Sequence, residues 1–493
     1  MAQNLLRWRD IYSETELYKA AVALYTKPVF DWRKAMSHSA DGETFYDFAR
    51  DGFANIAGLH KMLAREKFTY SPAVKLDFNL NGKLRSFYIY PWRERLTDLL
   101  LYRLLSDRPS FNFSKSSYAY RLKGGGVNRC QTNIRHSLAA CEGTRYIVKR
   151  DIRNYFPSID HDLLLENIAR HIDEHDFLFR LLAERVRFKF LTPDGIATAE
   201  RGVPFGTAAA CFLSNLYLTP LDHEMRTLSG ISYFRYADDF LVLADKAESA
   251  KNAADVLDGW IEKLRLSAKS THTMNLSLEP KAKASLAGET YFTEAEKFRH
   301  LGLEFCAGGN VRLSRDKFRK LCNIFDSAFR RHRGKLRKIK DRNKRIAFAV
   351  KTAAAAATGV KRNVAIIDYY LTHVTDQAQL RLLDRWVAEE VLAVALGTGH
   401  KKGNFAVCGY GRLRTLGLPS LAHRARLIQH GCIAAPFFVR RTPAPNNLGT
   451  IARPAANIAP VFFPCPEAAA LVKPVGKGGR LSAGVTEEIN ALR

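Results

Sequence analysis

Ten residues constrain this chain more than any others: Phe234, Arg235, Tyr236, Ala237, Asp238, Asp239, Phe240, Leu241, Val242 and Leu243. Apolar and aromatic residues flank a short acidic centre, the pattern of two buried strands joined by a tight turn. Aspartate tolerates turn backbone, so an exposed Asp-Asp turn is the ordinary explanation of such a pair. Two adjacent carboxylates set between buried strands resist joint ionisation unless a cation lies beside them. Mg²⁺ suits that role, because it takes hard oxygen ligands and leaves positions open for substrate phosphates.

A third carboxylate strengthens the cation reading. Tyr146-Ile147-Val148-Lys149-Arg150-Asp151-Ile152 is a short apolar strand that ends in Asp151, followed by Arg153–Asp160 and a helical pattern over Leu163–His171. Such a strand can set Asp151 beside the Asp238–Asp239 hairpin in one antiparallel sheet. Carboxylates on separate strands that bridge two cations roughly 3.5–4 Å apart are what two-metal phosphoryl transfer needs. Taken alone, Asp151 fits a strand end or a helix cap equally well.

Charge points to the partner. The 493 residues carry a net charge of +27, yet 47% are hydrophobic and 11% aromatic, so a large core accompanies the basic excess. A polyanion, most commonly nucleic acid, is the partner such an excess implies. Fifteen Lys and Arg against three Asp fall within residues 311–345, while Phe318, Leu321, Cys322, Phe325 and Phe329 keep a helical period. This predicts one helix with an apolar and a cationic face, the latter (Arg330, Arg331, Arg333, Lys335, Arg337 and Lys338) tracking a phosphate backbone. The eight cysteines form no C-x-x-C pair, no zinc-ligand spacing occurs, and no signal peptide or membrane-spanning run is present. The sequence predicts a soluble, cytoplasmic protein with reduced cysteines.

The remaining segments fill in around this centre. Residues 1 to about 70 read as helices, and 75–91 as strands with an Asn81-Gly82 hairpin signal. Ser117-Tyr118-Ala119-Tyr120-Arg121-Leu122-Lys123 interleaves aromatics with cations ahead of Gly124–Gly126, a pattern suited to bases and phosphates. Arg201-Gly202-Val203-Pro204-Phe205-Gly206-Thr207 is a turn, with Thr207 as N-cap of a helix through Leu221. A helix is expected over Ala250–Leu266, a strand near Leu276 with Lys281 and Lys283 just beyond it, and one short strand over Phe298–Phe305. Helices are expected over 346–357 and 376–396, and at Leu421–Gln429 within a Gly- and Pro-rich C-terminal region.

In this order the pieces resemble the bacterial reverse transcriptases of the group II intron and retron type, nearest to the stand-alone, defence-associated branch. Tyr236-Ala237-Asp238-Asp239 looks like the Y-A-D-D box, and Asp151, Ile152 and Phe156 like the first catalytic box. Ser117–Arg121 resembles the fingers motif, Gly202-x-Pro204-x-Gly206 with Leu213–Leu218 the G-x-P-Q-G…N-x-Y-L box, and Phe298-x-x-Leu301-Gly302 the primer grip. The resemblance implies an α+β right-hand polymerase with an antiparallel split β-α-β palm and a helical thumb. Its expected regions are an N-terminal helical part (1–70), fingers (71–140), palm (141–308), thumb (309–400) and a C-terminal extension (401–493). It implies catalytic Asp151, Asp238 and Asp239, with Ile152 joining them around two Mg²⁺ ions, for which Mn²⁺ could substitute. Arg121, Phe156, Phe205, Gly206, Lys281 and Lys283 would meet the nucleotide, Phe156 as the ring that excludes a ribose 2′-hydroxyl.

Three departures from the pattern stand out: Phe205 in place of Gln, Ala208–Ala210 in place of a Ser/Pro run, and Ala119 in place of Gly. They suggest a nucleotide pocket specialised toward a restricted template or product. The expected activity is RNA-directed DNA synthesis from dNTPs on a dedicated non-coding RNA, in defence against phage, with a homo-oligomer allowed. The alternatives are a maturase-like RNA-binding protein and template-independent or protein-primed synthesis. No H-N-H-type endonuclease motif is present, which disfavours a mobile-intron enzyme.

Overall fold

The computed structural model describes residues 5–26, 37–80, 82–140, 143, 145–276, 293–359 and 366–433. Within it the chain divides into two units, one formed by residues up to 130 and 146–273, the other by 131–145 and 274–440. Lys281 and Lys283 lie outside the described residues, as does the chain beyond 433.

The first unit is built on two sheets with helices around them. β1 (Ala73–Leu80) and β2 (Lys83–Ile89) pair antiparallel, closing a hairpin at the predicted Asn-Gly turn, where Gly82 has φ +78°. β3 (Arg145–Ile152) follows after helix Trp92–Leu105, and then β4 (Lys189–Thr192) and β5 (Gly195–Thr198) form a second hairpin. β4 runs parallel to β1, giving a sheet in the order β2-β1-β4-β5. The second sheet holds β6 (Ile231–Tyr236), β7 (Asp239–Ala244), β3 and β8 (Ala268–Leu276), in the order β6-β7-β3-β8. β7, in the middle, runs antiparallel to both β6 and β3.

Alternation along β3 sorts its side chains between two faces. Val148, Arg150 and Ile152 share one face and are buried; Lys149 and Asp151 share the other. Arg150 makes a bidentate pair with Asp258 on helix Ala247–Lys263, both nitrogen–oxygen distances being 2.7 Å. That pairing fixes which face of β3 meets the helix, and therefore where Asp151 points.

Helix Ala208–Tyr217 starts as its sequence requires: Thr207 accepts a bond from the Ala210 amide at 3.2 Å. It carries Asn215, part of the most buried polar network in this unit. Arg235 on β6 and Asp222 on helix Thr219–Thr227 are both fully buried and paired. The Arg235 guanidinium also donates to Asn215 Oδ1 at 2.9 Å and to the Ala237 carbonyl at 3.1 Å, while Tyr233 Oη donates to Asp222 at 2.7 Å.

In the second unit, β9 (Thr293–Ala295) runs parallel to Met274–Leu276 at the end of β8. β10 (Lys297–His300), β11 (Leu303–Cys306) and β12 (Val311–Leu313) form an antiparallel meander. Here the expected single strand over 298–305 is corrected. It is a hairpin pairing His300 with Leu303 across Leu301 (φ +47°) and Gly302 (φ +82°). Two successive positive φ values make the tight turn that antiparallel strands favour. The expected single helix over 311–345 is likewise split. β12 precedes helix Arg315–Lys338, and Asp341 then caps a second helix, Arg342–Thr358.

Helices Gln377–Leu396 and Leu421–Gln429 match their expected positions. Gln379 exchanges two bonds with the Leu313 main chain, and the buried Asp384 accepts from Ser420 Oγ at the start of the last helix. Arg424 pairs bidentately with Asp368, at 2.6 and 2.8 Å. Among the described residues, no helix is long and apolar enough to cross a membrane.

The Arg235–Asp222 pair generates a stability prediction. Arg235→Met leaves a buried carboxylate without its cation and should cost about 3–5 kcal/mol, read as a lower midpoint of the first denaturant transition. The double variant Arg235→Met/Asp222→Leu should recover much of that loss, because it removes the stranded charge.

Candidate active site

β6 and β7 bring the acidic centre to the end of the second sheet. Tyr236 pairs with Asp239, so Ala237 and Asp238 form a two-residue turn, with Ala237 in the left-handed region at φ +56°. Non-glycine residues adopt this conformation at a cost. The bond from Arg235 to the Ala237 carbonyl offsets it from beneath the turn. On the neighbouring strand, Asp151 stands opposite Asp239 in the β3–β7 register. The three expected acids therefore lie at one end of three adjacent strands. Ile152, 2% exposed, faces the opposite side from Asp151, which leaves its main-chain carbonyl as the only oxygen it can present.

The electrostatics follow from this crowding. Burial is the main cause that raises the Asp238 carboxyl from 3.8 to about 6; Asp151 and Asp239 push the same way, and Arg85 on β2 opposes them. Lys269 on β8 donates to Asp151 Oδ2 at 2.7 Å, a partner the sequence reading did not foresee. Among the described residues, no group of three or more His, Cys, Asp or Glu side chains converges closely enough to hold a metal ion. The donor chemistry still suits a hard divalent cation. Mg²⁺ is usually bound by one or two carboxylates together with substrate phosphates, not by a protein cage. Asp238, crowded by two like charges, is a carboxylate whose ionised form a cation would favour.

The chain after β3 turns through Asn154, at φ +48°, into the short helix Tyr155–Ser158, which carries Phe156. Phe156 is half-buried and packs edge-on against Phe205, their centroids 5.2 Å apart. Gly202 and Gly206 adopt φ +84° and +103° at the ends of the loop carrying Phe205. A Cβ on Gly202 would sit 2.8 Å from Pro157 Cα, so only glycine allows this loop so close to the Phe156 segment.

Arg121, expected to meet the nucleotide, is engaged elsewhere in this structure. Its Nε lies 3.3 Å from Asp107 Oδ1 and its guanidinium 5.4 Å from the Phe113 ring. Gly125 passes so near Tyr118 and Arg121 that a Cβ would fall 2.5 Å from the Tyr118 carbonyl. The glycine run thus folds back on the aromatic–cation segment that precedes it. Arg85 is a cation whose charge reaches Asp238, and it also lies 5.9 Å from the Phe205 ring. Its only sequence signal was its place on the β1–β2 hairpin. On the second unit, Arg330, Arg331, Arg333, Lys335, Arg337 and Lys338 are all exposed, while Leu321, Cys322, Phe325, Phe329 and Leu336 are buried.

The Asp238 environment sets a pH dependence of stability in metal-free buffer. An unfolded aspartate ionises near 3.8 and the folded one near 6, so the fold retains a proton between these values. Stability should fall as pH rises from about 4 to about 6 and then level off. Asp238→Asn should melt higher than the wild type at pH 7.5, and the gap should close below about pH 4.

The chain is similar to several known proteins. The reverse transcriptase (RNA-dependent DNA polymerase) family matches residues 79–305, a span containing β3, β6, β7 and all three acids. Protein YkfC of Escherichia coli strain K12 is 26% identical over 231 residues, covering 39% of this chain and 60% of YkfC. An uncharacterized 91 kDa protein in a cob intron of Schizosaccharomyces pombe is 23% identical over 227 residues, covering 46% of this chain and 27% of that protein. The chain thus spans less than two thirds of the length of these relatives. Among solved structures, apo telomerase from Candida tropicalis aligns with a TM-score of 0.40 at 11% identity, over 86% of this chain and 73% of that one. Telomerase from Candida albicans in complex with a telomeric RNA fragment gives 0.39 at 10%, over 80% and 68%. These two likenesses are too loose to bear on function. Residues 79–305 thus match the reverse transcriptase family, and the relatives are a bacterial protein and one found in a fungal intron.

Proposed function

We propose that this protein is an RNA-directed DNA polymerase whose reaction takes place at Asp151, Asp238 and Asp239. The observation that carries this reading is the register placing Asp151 opposite Asp239, with Asp238 on the adjoining turn. In the reaction, the terminal hydroxyl of a primer attacks the α-phosphate of a dNTP, a new phosphodiester forms, and pyrophosphate leaves. Two Mg²⁺ ions, or Mn²⁺ in their place, would be held by Asp151 and Asp238, with Asp239 in support, and would supply charge neutralisation at the attacking and leaving oxygens. The protein's own contribution is to hold these acids on adjacent strands, so that no reorganisation is needed when charge develops.

In this reading residues 71–140 act as fingers, 141–308 as palm and 309–400 as thumb. Phe156 is the ring that selects deoxyribose, and Arg121 can reach a triphosphate only by leaving Asp107. The exposed cations of helix Arg315–Lys338 track the nucleic-acid backbone. The finer reading, synthesis on a dedicated non-coding RNA during defence against phage by a cytoplasmic protein, rests on the family resemblance alone.

Asp238→Asn should abolish primer extension on RNA, a loss of at least about a thousandfold, with the fold intact by circular dichroism. An RNA-binding protein that acts without chemistry would keep its function in that variant. RNA and DNA that co-purify with the full chain, once sequenced, should be dominated by one structured RNA and its complement. An unselected mixture of cellular RNA would remove the dedicated-template reading.

Neutralising Arg331, Arg333 and Lys335 together to Ala should weaken binding to an RNA–DNA hybrid. It should also flatten the dependence of log affinity on log salt by up to about 3.

A further inference from the structure

Phe205 stands where the resemblance expects a glutamine, and its surroundings define what it does instead. Its ring lies 5.0 Å from Phe87 on β2 and 5.2 Å from Phe156, the second contact edge-on at 82°. Phe156 is bounded on its other sides by Tyr120, at 6.1 Å and 89°, and by Tyr155, at 5.8 Å and 77°. Phe87 in turn meets Phe78 at 5.6 Å. Phe205 is thus the middle member of an aromatic row running from the β1–β2 hairpin to the short helix that follows β3.

The main chain fixes this member firmly. The Tyr88 amide donates to the Phe205 carbonyl at 3.3 Å, and the Val203 amide to the Phe156 carbonyl at 3.0 Å. The Gly202 amide donates to Ile159 at 2.7 Å, and His161 Nε2 lies 2.7 Å from the Gly202 carbonyl. The Gly202–Gly206 loop is therefore laced to the Phe156 segment on one side and to β2 on the other. A phenyl ring has no donor or acceptor, so Phe205 cannot grip a nucleotide by hydrogen bonds. Edge-to-face packing can instead fix the tilt of the Phe156 ring.

We infer that Phe205 is a positioning residue that holds Phe156 against the sugar of the incoming nucleotide and so sets discrimination between deoxyribo- and ribonucleotides. The inference rests on the polymerase reading above. A half-buried phenyl side chain can occupy more than one staggered rotamer about its inner torsion unless neighbours choose among them. Phe205, Tyr120 and Tyr155 make that choice for Phe156. Removing Phe205 opens space on the side facing the loop, into which Phe156 can swing away from a 2′-hydroxyl.

The test is single-nucleotide primer extension by the full-length protein with Mg²⁺, comparing kcat/KM for dNTP and for the matching rNTP. Wild type, Phe205→Ala, Phe205→Leu, Phe205→Gln and Phe156→Ala are measured side by side. Phe156→Ala should collapse the ratio of the two constants. Phe205→Ala should lower it by about tenfold or more, chiefly by raising the rNTP constant. Phe205→Leu, which refills most of the space, should restore most of the ratio, whereas Phe205→Gln should not. If Phe205→Ala depresses both constants equally, the residue only supports the fold and the inference is overturned. Should Phe205→Ala fail to fold by its melting curve, an unchanged ratio in Phe205→Gln would overturn it instead. A wild-type protein that extends no primer with either nucleotide would sink the polymerase reading itself. A selective wild type whose ratio ignores Phe156→Ala would overturn the gate and this inference with it, and leave the polymerase reading standing.

Discussion

A fully buried arginine underlies the acidic turn. Arg235 places five N–H donors inside the protein, and Asp222, Asn215 and the Ala237 carbonyl, on three separate elements, receive four bonds from them. Burying a guanidinium costs several kcal/mol unless its partners surround it, so the network forms as a whole or not at all. Its reach extends further through the main chain. The Arg235 amide donates to Ser116 at 2.8 Å, and its carbonyl accepts from Tyr118 at 2.9 Å. Ser117 Oγ then donates to the same Asn215 oxygen, at 2.9 Å. The segment resembling a fingers motif, the helix after the Gly202–Gly206 loop and the acidic hairpin thus converge on one side chain. A turn that must hold an alanine at positive φ needs such backing.

The acids above that network illustrate a familiar tension. Asp238 is held where burial and two like charges disfavour its ionised form, so the metal-free fold carries a cost that chemistry would repay. Natural active sites commonly hold groups that the fold would be more stable without.

Much of this was legible in the residues. β3, β6 and β7 are short apolar runs bounded by acids, and a two-residue gap between two such runs specifies a hairpin. The Thr207 cap, the apolar stripe of Arg315–Lys338 and helix Leu421–Gln429 followed from equally local signals. What escaped depends on chain distant in sequence or on backbone the residue type disguises. Leu301 seldom adopts positive φ, so Phe298–Phe305 reads straight through the turn between β10 and β11. The parallel pairing of β4 with β1 joins segments over a hundred residues apart. Lys269 lies in a strand of mixed polar residues, where no alternation reveals a face. Arg121 carried a clear pattern, but nothing nearby in sequence announced that Asp107 and Phe113 would engage it. The aromatic row around Phe205 is assembled from four separate segments, and each member alone looks like ordinary core.

The ammonium of Lys269 on Asp151 has a consequence for how the centre is filled. With that cation in place, Asp151 does not present a bare negative charge, and β3 and β7 can keep their register before any ion arrives. Under the proposed function, loading would be a swap, in which this flexible four-carbon arm withdraws to admit a divalent ion. The half-exposed position of Lys269, 47% open to solvent, lets the displaced charge return to water. Such a centre would fill according to how well an ion, with whatever phosphates accompany it, outcompeted a ligand already tethered to the chain.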